Sequence, residues 1–356
     1  MKNKKNYFSY PIKFKGLILA KSKRDLIWDD VVFKGPLKRG QVLVKIFYSG
    51  ICGKQIEEYL AKMGKDIYLP HLLGHEGSGE VLDVGPKVHH VKVGDKVVLH
   101  WMKSKLGLES DAPKYFWRKK KLNAGKITTF NEMSVISSNR LTKIPNNTNL
   151  KLAALLGCGL STGLGATIND AKITSKDKVL VVGAGGLGLS ILLGAKFCGA
   201  KNLVILDKNY KNILAAKKFG AKGFNLNNRK LLMKKSFHGN FNKIFITATY
   251  KTNIQLAVKL ASESSKIFMI GVPSPQVNFS VNALEIHRGK SFLTSTGGNI
   301  SPDKDIPNYL DFFFPLITGG TLKKSPNLSG AFFNNSSISK LGWISSFRPE
   351  IVLSNT

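Results

Sequence analysis

The chain has 356 residues with 43% hydrophobic side chains, enough for two domains of ordinary size with buried cores. It carries 54 Lys and Arg against 22 Asp and Glu, a formal net charge of +32, and only three cysteines, Cys52, Cys158 and Cys198. No apolar run is long enough to span a bilayer, Met1 to Asn6 lack an apolar signal-like centre, and scattered cysteines make no disulfide framework, so the expectation is a cytoplasmic protein with no membrane partner.

Residues 15 to 50 read as short strands, among them the β-branched run Val42 to Ile46. Residues 79 to 100 repeat that style with Gly79 to Gly85 and, past the Gly94-Asp95 turn, Lys96 to His100. Strands punctuated by glycine turns predict an all-β, barrel-like region. Residues 102 to 130 are polar, basic and aromatic without a clear period, a long excursion from that barrel. Lys151 to Leu156 is helix-like. After Thr162 the pattern becomes strand-helix alternation: strand 179–182, helix 187–197, strand 203–206, helix 208–219, then strands 243–247 and 266–270. That alternation predicts an α/β, doubly wound parallel sheet. The expected division is residues 1–160 for the first domain and 161–304 for the second. Residues 305–356, with an aromatic helix-like piece from Tyr309 to Ile317, are expected to complete the first.

A strongly basic chain suggests nucleic acid or an anionic surface. Here only seven of the basic residues are arginine, and the lysines are spread along the whole sequence among many asparagines. The densest run, Arg118 to Lys121 after Tyr115, Phe116 and Trp117, could contact phosphates, but a solvated surface accounts for it. Binding of an anionic polymer through that run stays as a competing reading, without an assigned nucleic-acid partner.

Gly183-Ala184-Gly185-Gly186-Leu187-Gly188 places glycines at the three positions of G-x-G-x-x-G, between an apolar strand and an apolar helix. In such a turn the first glycine permits the bend, the second lets backbone approach a pyrophosphate, and the third lets helix and strand pack closely. Asp207 closes the next strand, where a carboxylate suits the ribose hydroxyls of NAD and repels a 2′-phosphate. Lys208 beside it softens that preference.

Cys52 and Cys158 lie in glycine-flanked turns, and His75-Glu76 lies between them in sequence. Thiolate, imidazole and carboxylate brought together at long separation are the donors of an open catalytic zinc site. The third cysteine, Cys198, reads as core packing.

Taken in order, Ile51-Cys52-Gly53, Gly74-His75-Glu76-Gly77-Ser78-Gly79, Gly157-Cys158-Gly159-Leu160-Ser161-Thr162-Gly163 and the dinucleotide turn resemble the medium-chain zinc-dependent alcohol dehydrogenases over nearly the whole chain. The resemblance implies a GroES-like β-barrel catalytic domain, a Rossmann domain and an active site in the cleft between them. It implies one catalytic zinc per chain held by Cys52, His75 and Cys158, with Glu76 a neighbouring carboxylate able to exchange onto it. Thr162 would touch the nicotinamide, Leu187 would back it and Arg348 would reach the pyrophosphate. Trp101 would wall the substrate pocket. The implied reaction is hydride transfer between a small-molecule alcohol or carbonyl compound, with a polyol or sugar derivative among the candidates, and NAD. Homodimers and homotetramers are common in the family. A zinc-independent NAD(P)H reductase of the same fold is the nearest alternative.

Two departures stand out. The lobe at 102–130 has no cysteine, which excludes the family's structural zinc; packing of Tyr115, Phe116 and Trp117 would hold it instead. After Cys52-Gly53, where many members carry a hydroxyl and then Asp, this chain has Lys54 and Gln55. Lys54 would accept the alcohol proton, hold an anionic or polyhydroxylated substrate, or turn to solvent. Gln55 would accept a hydrogen bond from His75. His71 and His100 read as structural.

Overall fold

The computed structural model describes residues 8–228, 232 and 239–318. They form two compact units. The first takes in the chain up to Cys158 together with Ser301–Asn308, and the second takes in Gly159–Ile300 and continues from Tyr309. Of residues 305–356, expected to complete the first unit, those up to Asn308 group with it and those from Tyr309 to Thr318 group with the second. The remainder, including Arg348, lies outside the described residues.

The first unit is built on two five-stranded sheets. One contains β1 (Ile12–Leu19), β2 (Ile27–Phe33), β4 (His71–Leu72), β7 (Tyr115–Trp117) and β8 (Lys120–Leu122), in the order β4-β1-β2-β7-β8. The other contains β3 (Gln41–Ser49), β5 (Gly77–Val84), β6 (Lys96–Leu99), β9 (Met133–Ser137) and β10 (Leu141–Lys143), in the order β10-β6-β5-β3-β9. All pairings in both sheets are antiparallel. Because side chains alternate along a strand, β3 feeds two cores. Val42, Val44 and Ile46 join Val81, Val97 and Leu99, while Leu43 joins Ile12, Phe14 and Tyr115. Each such side chain, fully buried, contributes roughly 1.5–3 kcal/mol.

The excursion at 102–130 is less irregular than its composition suggests. Its aromatic run forms β7, pairing with β2 on one side and with β8 on the other. Tyr115 is fully buried, and its hydroxyl accepts the Val135 N–H at 2.7 Å. The Trp117 indole donates to Asp29 at 2.8 Å. The basic run is the turn and outer strand of this hairpin, and Arg118 ion-pairs with Asp29 at 3.1 Å. The scarce acids gather lysines elsewhere too: Asp30 takes Lys13 and Lys15, and Glu109 takes Lys103 and Lys126.

The second unit holds a six-stranded, wholly parallel sheet in the order β13-β12-β11-β14-β15-β16. Its strands are β11 (Lys178–Val182), β12 (Asn202–Asp207), β13 (Lys222–Asn225), β14 (Phe241–Ile246), β15 (Ala261–Met269) and β16 (Ser291–Thr294). Helices Gly186–Phe197, Tyr210–Lys217 and Lys251–Leu260 make three of the crossovers. Val179 to Val182 are all fully buried, the signature of a strand covered on both faces. Cys198 is half-buried at the end of its helix, and burial pushes its thiol up to about 11, so it carries no thiolate at neutral pH. Among the described residues no single helix is long and apolar enough to cross a membrane.

His100, at the end of β6, is completely buried. Its Nδ1 lies 2.8 Å from the Met102 carbonyl and its Nε2 lies 3.0 Å from the Thr142 hydroxyl, a pattern that suits the neutral ring. Burial holds its pKa down to about 4. In the unfolded chain the same imidazole protonates near pH 6.5, so protons favour unfolding. The stabilisation is complete above about pH 6.5 and is lost as pH falls from there toward about 4, to a total of roughly 3 kcal/mol. Denaturant unfolding between about pH 7 and pH 4 should show the parent losing about that much more stability than His100→Gln.

Candidate metal centre and dinucleotide turn

Three separate segments of the first unit deliver the donors. Cys52 sits in extended backbone just ahead of α1 (Gly53–Tyr59) and makes no side-chain cap to it, which leaves its sulfur available. His75 and Glu76 lie between β4 and β5, and Cys158 ends the tight helical turn Ala154–Gly157. The Cys52 and Cys158 sulfurs are 3.9 Å apart, and His75 Nε2 is 3.3 Å from Cys158 Sγ. With a carboxylate oxygen of Glu76, the four donor atoms lie within 4.8 Å of one another.

Bare backbone makes this convergence possible. A Cβ added at Gly50 would fall 2.6 Å from the Glu76 carboxyl carbon, and one at Gly157 would fall 2.3 Å from the Leu99 carbonyl and 2.6 Å from Glu76 Cβ. Glu76, only 5% exposed, is therefore clamped between two glycines. The Gly50 N–H and the Ser49 hydroxyl donate to its carbonyl at 3.2 and 2.9 Å.

The electrostatics suit a cation. The hydrogen bond from Cys158 draws the Cys52 pKa far down, helped by His75 and the Lys54 backbone N–H against the opposing effect of burial. That shared bond, then burial and the Glu76 charge, drive Cys158 the opposite way. Burial pulls the His75 pKa down, but Cys52 and Glu76 outweigh it and the net shift is upward. A second sulfur anion is therefore accommodated only if positive charge arrives with it. Zinc, with bonds of about 2.3 Å to sulfur and about 2.0 Å to imidazole nitrogen, separates tetrahedral sulfurs by roughly 3.8 Å. The donor types and the spacing found here fit that ion.

Of the two residues that follow Cys52-Gly53, Gln55 has a different partner from the one expected. Lys54, one-third exposed, ion-pairs with Glu57 at 2.5 Å, the neighbour three residues on along α1. Gln55 does not serve the imidazole directly. Its Oε1 accepts the Gly74 N–H in a short hydrogen bond, and its Nε2 donates to Glu58 at 2.8 Å. It thus fixes the backbone immediately before His75. Trp101 is half-buried, and the Trp101 N–H donates to the Gly157 carbonyl at 3.3 Å. Its buried indole nitrogen lacks a well-formed hydrogen bond, yet it favours the charged form of Cys158. The roles of Gly50, Gly157 and the Gln55 amide escape sequence reasoning, although each adjoins or nearly adjoins a donor.

In the second unit the glycine turn is formed as its spacing predicts. Gly183 has φ +106°, Gly185 is exposed with nothing within 4 Å of an added Cβ, and a Cβ on Gly188 would strike the Gly183 carbonyl at 1.9 Å. Gly186 and Leu187 begin the following helix, and Thr162 is buried in the helix Gly159–Gly165. Asp207, 9% exposed at the end of β12, accepts the Ala184 N–H on Oδ2 and the Asn209 N–H on Oδ1, both at 2.7 Å. Its carboxylate therefore shapes the turn as well as standing beside it, a role that sequence spacing does not reveal.

Residues 38–146 match the family model for the alcohol dehydrogenase GroES-like domain, and residues 186–314 match that for zinc-binding dehydrogenase. The chain belongs to the medium-chain dehydrogenase/reductase family. Within that family it is similar to alcohol dehydrogenase class-2 isozyme 2 of Oryctolagus cuniculus, with 34% identity over 59% of this chain and 62% of the relative. It is also similar to S-(hydroxymethyl)glutathione dehydrogenase of Photobacterium damsela subsp. piscicida, with 33% identity over 52% and 57%. The matched segments thus cover about three-fifths of these relatives' own length. Among solved structures, benzyl alcohol dehydrogenase of Acinetobacter calcoaceticus superposes with a TM-score of 0.75 at 25% identity, over 84% of this chain and 88% of that one. The two-part architecture, GroES-like β-domain and Rossmann sheet, is that of the medium-chain dehydrogenases.

The clamp on Glu76 is open to a direct test. Gly157→Ala should lower stability by about 1–3 kcal/mol through overpacking. Gly53→Ala, where nothing lies within 4 Å of the new Cβ, should be neutral or slightly stabilising. Thermal unfolding of the two variants would discriminate, and equal losses would remove the clamp from the account.

Proposed function

We propose that the protein is a zinc-dependent oxidoreductase that transfers hydride between a small-molecule alcohol or carbonyl compound and NAD. The observation that carries the reading is the gathering of Cys52, His75, Cys158 and Glu76 donor atoms within 4.8 Å, in a chain that also forms a dinucleotide turn. Zinc held by Cys52, His75 and Cys158 would supply a Lewis acid that lowers the pKa of an alcohol oxygen, and NAD would receive the hydride.

The chain's own residues do the rest. Glu76 adds negative charge beside the donors and is positioned as a fourth, exchangeable ligand. Gln55 holds the backbone ahead of His75, so the imidazole is oriented through a neutral amide. With Lys54 tied to Glu57, the alcohol proton leaves by a route without a hydroxyl at this position, and solvent is the acceptor. In the second unit, Gly185 leaves open backbone for a pyrophosphate, and the N-terminus of the helix that follows faces its charge. The Asp207 carboxylate favours NAD over NADP by repelling a 2′-phosphate.

Purified protein should contain zinc that depends on Cys158. Chelator treatment or Cys158→Ser should abolish NADH formation in a screen of alcohols, and undiminished activity after either would sink the reading. Asp207→Asn keeps an acceptor for the Ala184 N–H while removing charge. It should shift the ratio of kcat/KM for NAD over NADP by about ten- to a hundredfold toward NADP; an unchanged ratio would leave Asp207 with a structural role only.

A further inference from the structure

A second group of potential ligands lies in the first unit, outside the four donors already described. We propose that Glu58, Asp66 and His71 form a second metal site, taking a divalent transition-metal ion such as Zn²⁺ through one imidazole nitrogen and two carboxylates. Their ligand atoms lie within 4.8 Å of one another. The His71 side chain is 7% exposed, that of Asp66 12% and that of Glu58 41%. His71 Nδ1 lies 3.0 Å from the Leu72 carbonyl, an acceptor that must receive its N–H. A ring fixed in that way turns Nε2 toward Asp66 Oδ2 at 2.7 Å and Glu58 Oε1 at 3.8 Å. Between two carboxylates this nitrogen needs a positive bridge: a proton, which makes the ring an imidazolium paired with Asp66, or a metal ion that displaces that proton. An imidazole that donates its other nitrogen to backbone carbonyl is how proteins present histidine to a metal.

The remaining oxygens are already arranged to leave the bridge free. Asp66 Oδ1 accepts the Tyr68 N–H at 2.9 Å, and Glu58 Oε2 accepts the Gln55 amide at 2.8 Å. Burial, reinforced by the Asp66 charge, holds the Glu58 carboxyl above its ordinary pKa despite the opposing influence of His71.

The location gives such an ion a purpose. Glu58 belongs to α1, His71 to β4, and the segment joining them buries little: Met63, Ile67 and Tyr68 are 46%, 74% and 65% exposed. A metal bridge would tie the segment down where apolar packing does not. It would also act on the catalytic donors through one side chain, because Gln55 bonds Glu58 at one end and the Gly74 N–H at the other. The ion would thus brace the helix that follows Cys52 against the strand that leads to His75.

Metal-stripped full-length protein titrated with Zn²⁺ should take up two equivalents. Cys52→Ser with Cys158→Ser should retain one, and Asp66→Asn with His71→Gln should retain the other. With Co²⁺, the cysteine site alone should give thiolate-to-metal charge-transfer absorption, while the second equivalent adds only weak d–d bands. Uptake of a single equivalent by the parent, with none retained by the cysteine variant, would overturn the second site. If the Asp66 and His71 variant fails to fold, the imidazole ¹⁵N resonances of the cysteine variant decide. A His71 Nε2 shift on adding one Zn²⁺ is expected, and a ring that carries both protons and ignores the metal refutes the proposal. If Cys52 and Cys158 bind no zinc, the parent takes up one equivalent and the cysteine variant still retains it, so the failure of that reading is distinguishable from the failure of this one.

Discussion

Two thiols, an imidazole and a carboxylate share one half-buried corner of the first unit, and in water none of them would choose that company. Each loses hydration, and the anionic forms repel one another. The protein keeps them together by geometry that tolerates no substitute: Glu76 is held between Gly50 and Gly157, and the Gly157 carbonyl is bound to the backbone of Trp101. A crowd of this kind is stable when it shares protons or when a cation occupies its centre. The opposite displacements of Cys52 and Cys158 are the signature of the first condition, and their sulfur separation suits the second.

The two units divide the work by architecture. Antiparallel sheets with one strand, β3, serving two cores give a stiff support from which short turns can aim side chains. The parallel sheet, whose β11 is buried on both faces, presents its turns at the carboxyl ends of its strands, and the glycine turn after β11 is one of them. Lys13, Lys15, Lys103 and Lys126 gather round two of the few acids, and the densest basic run is the end of a hairpin anchored on Asp29.

Much of this is legible in the sequence because it depends on residue type and order. The donor residues, the glycine spacing, Asp207 and the β-then-α/β division follow from patterns that tertiary context reinforces. The remainder depends on who meets whom. Helix α1 goes unread because Lys54, Gln55, Glu57 and Glu58 carry no apolar period. The β7-β8 hairpin hides in a basic stretch because its strands are only three residues each. Gln55 is expected to bond the imidazole and instead bonds the peptide before it, a difference of one residue along the chain that only the packed backbone decides. Lys54 finds Glu57 for the local reason that residues three apart on a helix are neighbours.

The hydrogen bond from Ala184 to Asp207 has a consequence for ligand encounter. A glycine-rich loop is entropically the costliest segment to order. Here the chain orders it in advance, with the same carboxylate that stands at the loop's open edge. Part of the loop's ordering cost is therefore met in folding instead of in binding. Replacing that carboxylate by a side chain unable to accept the Ala184 N–H would return the ordering cost to the binding step.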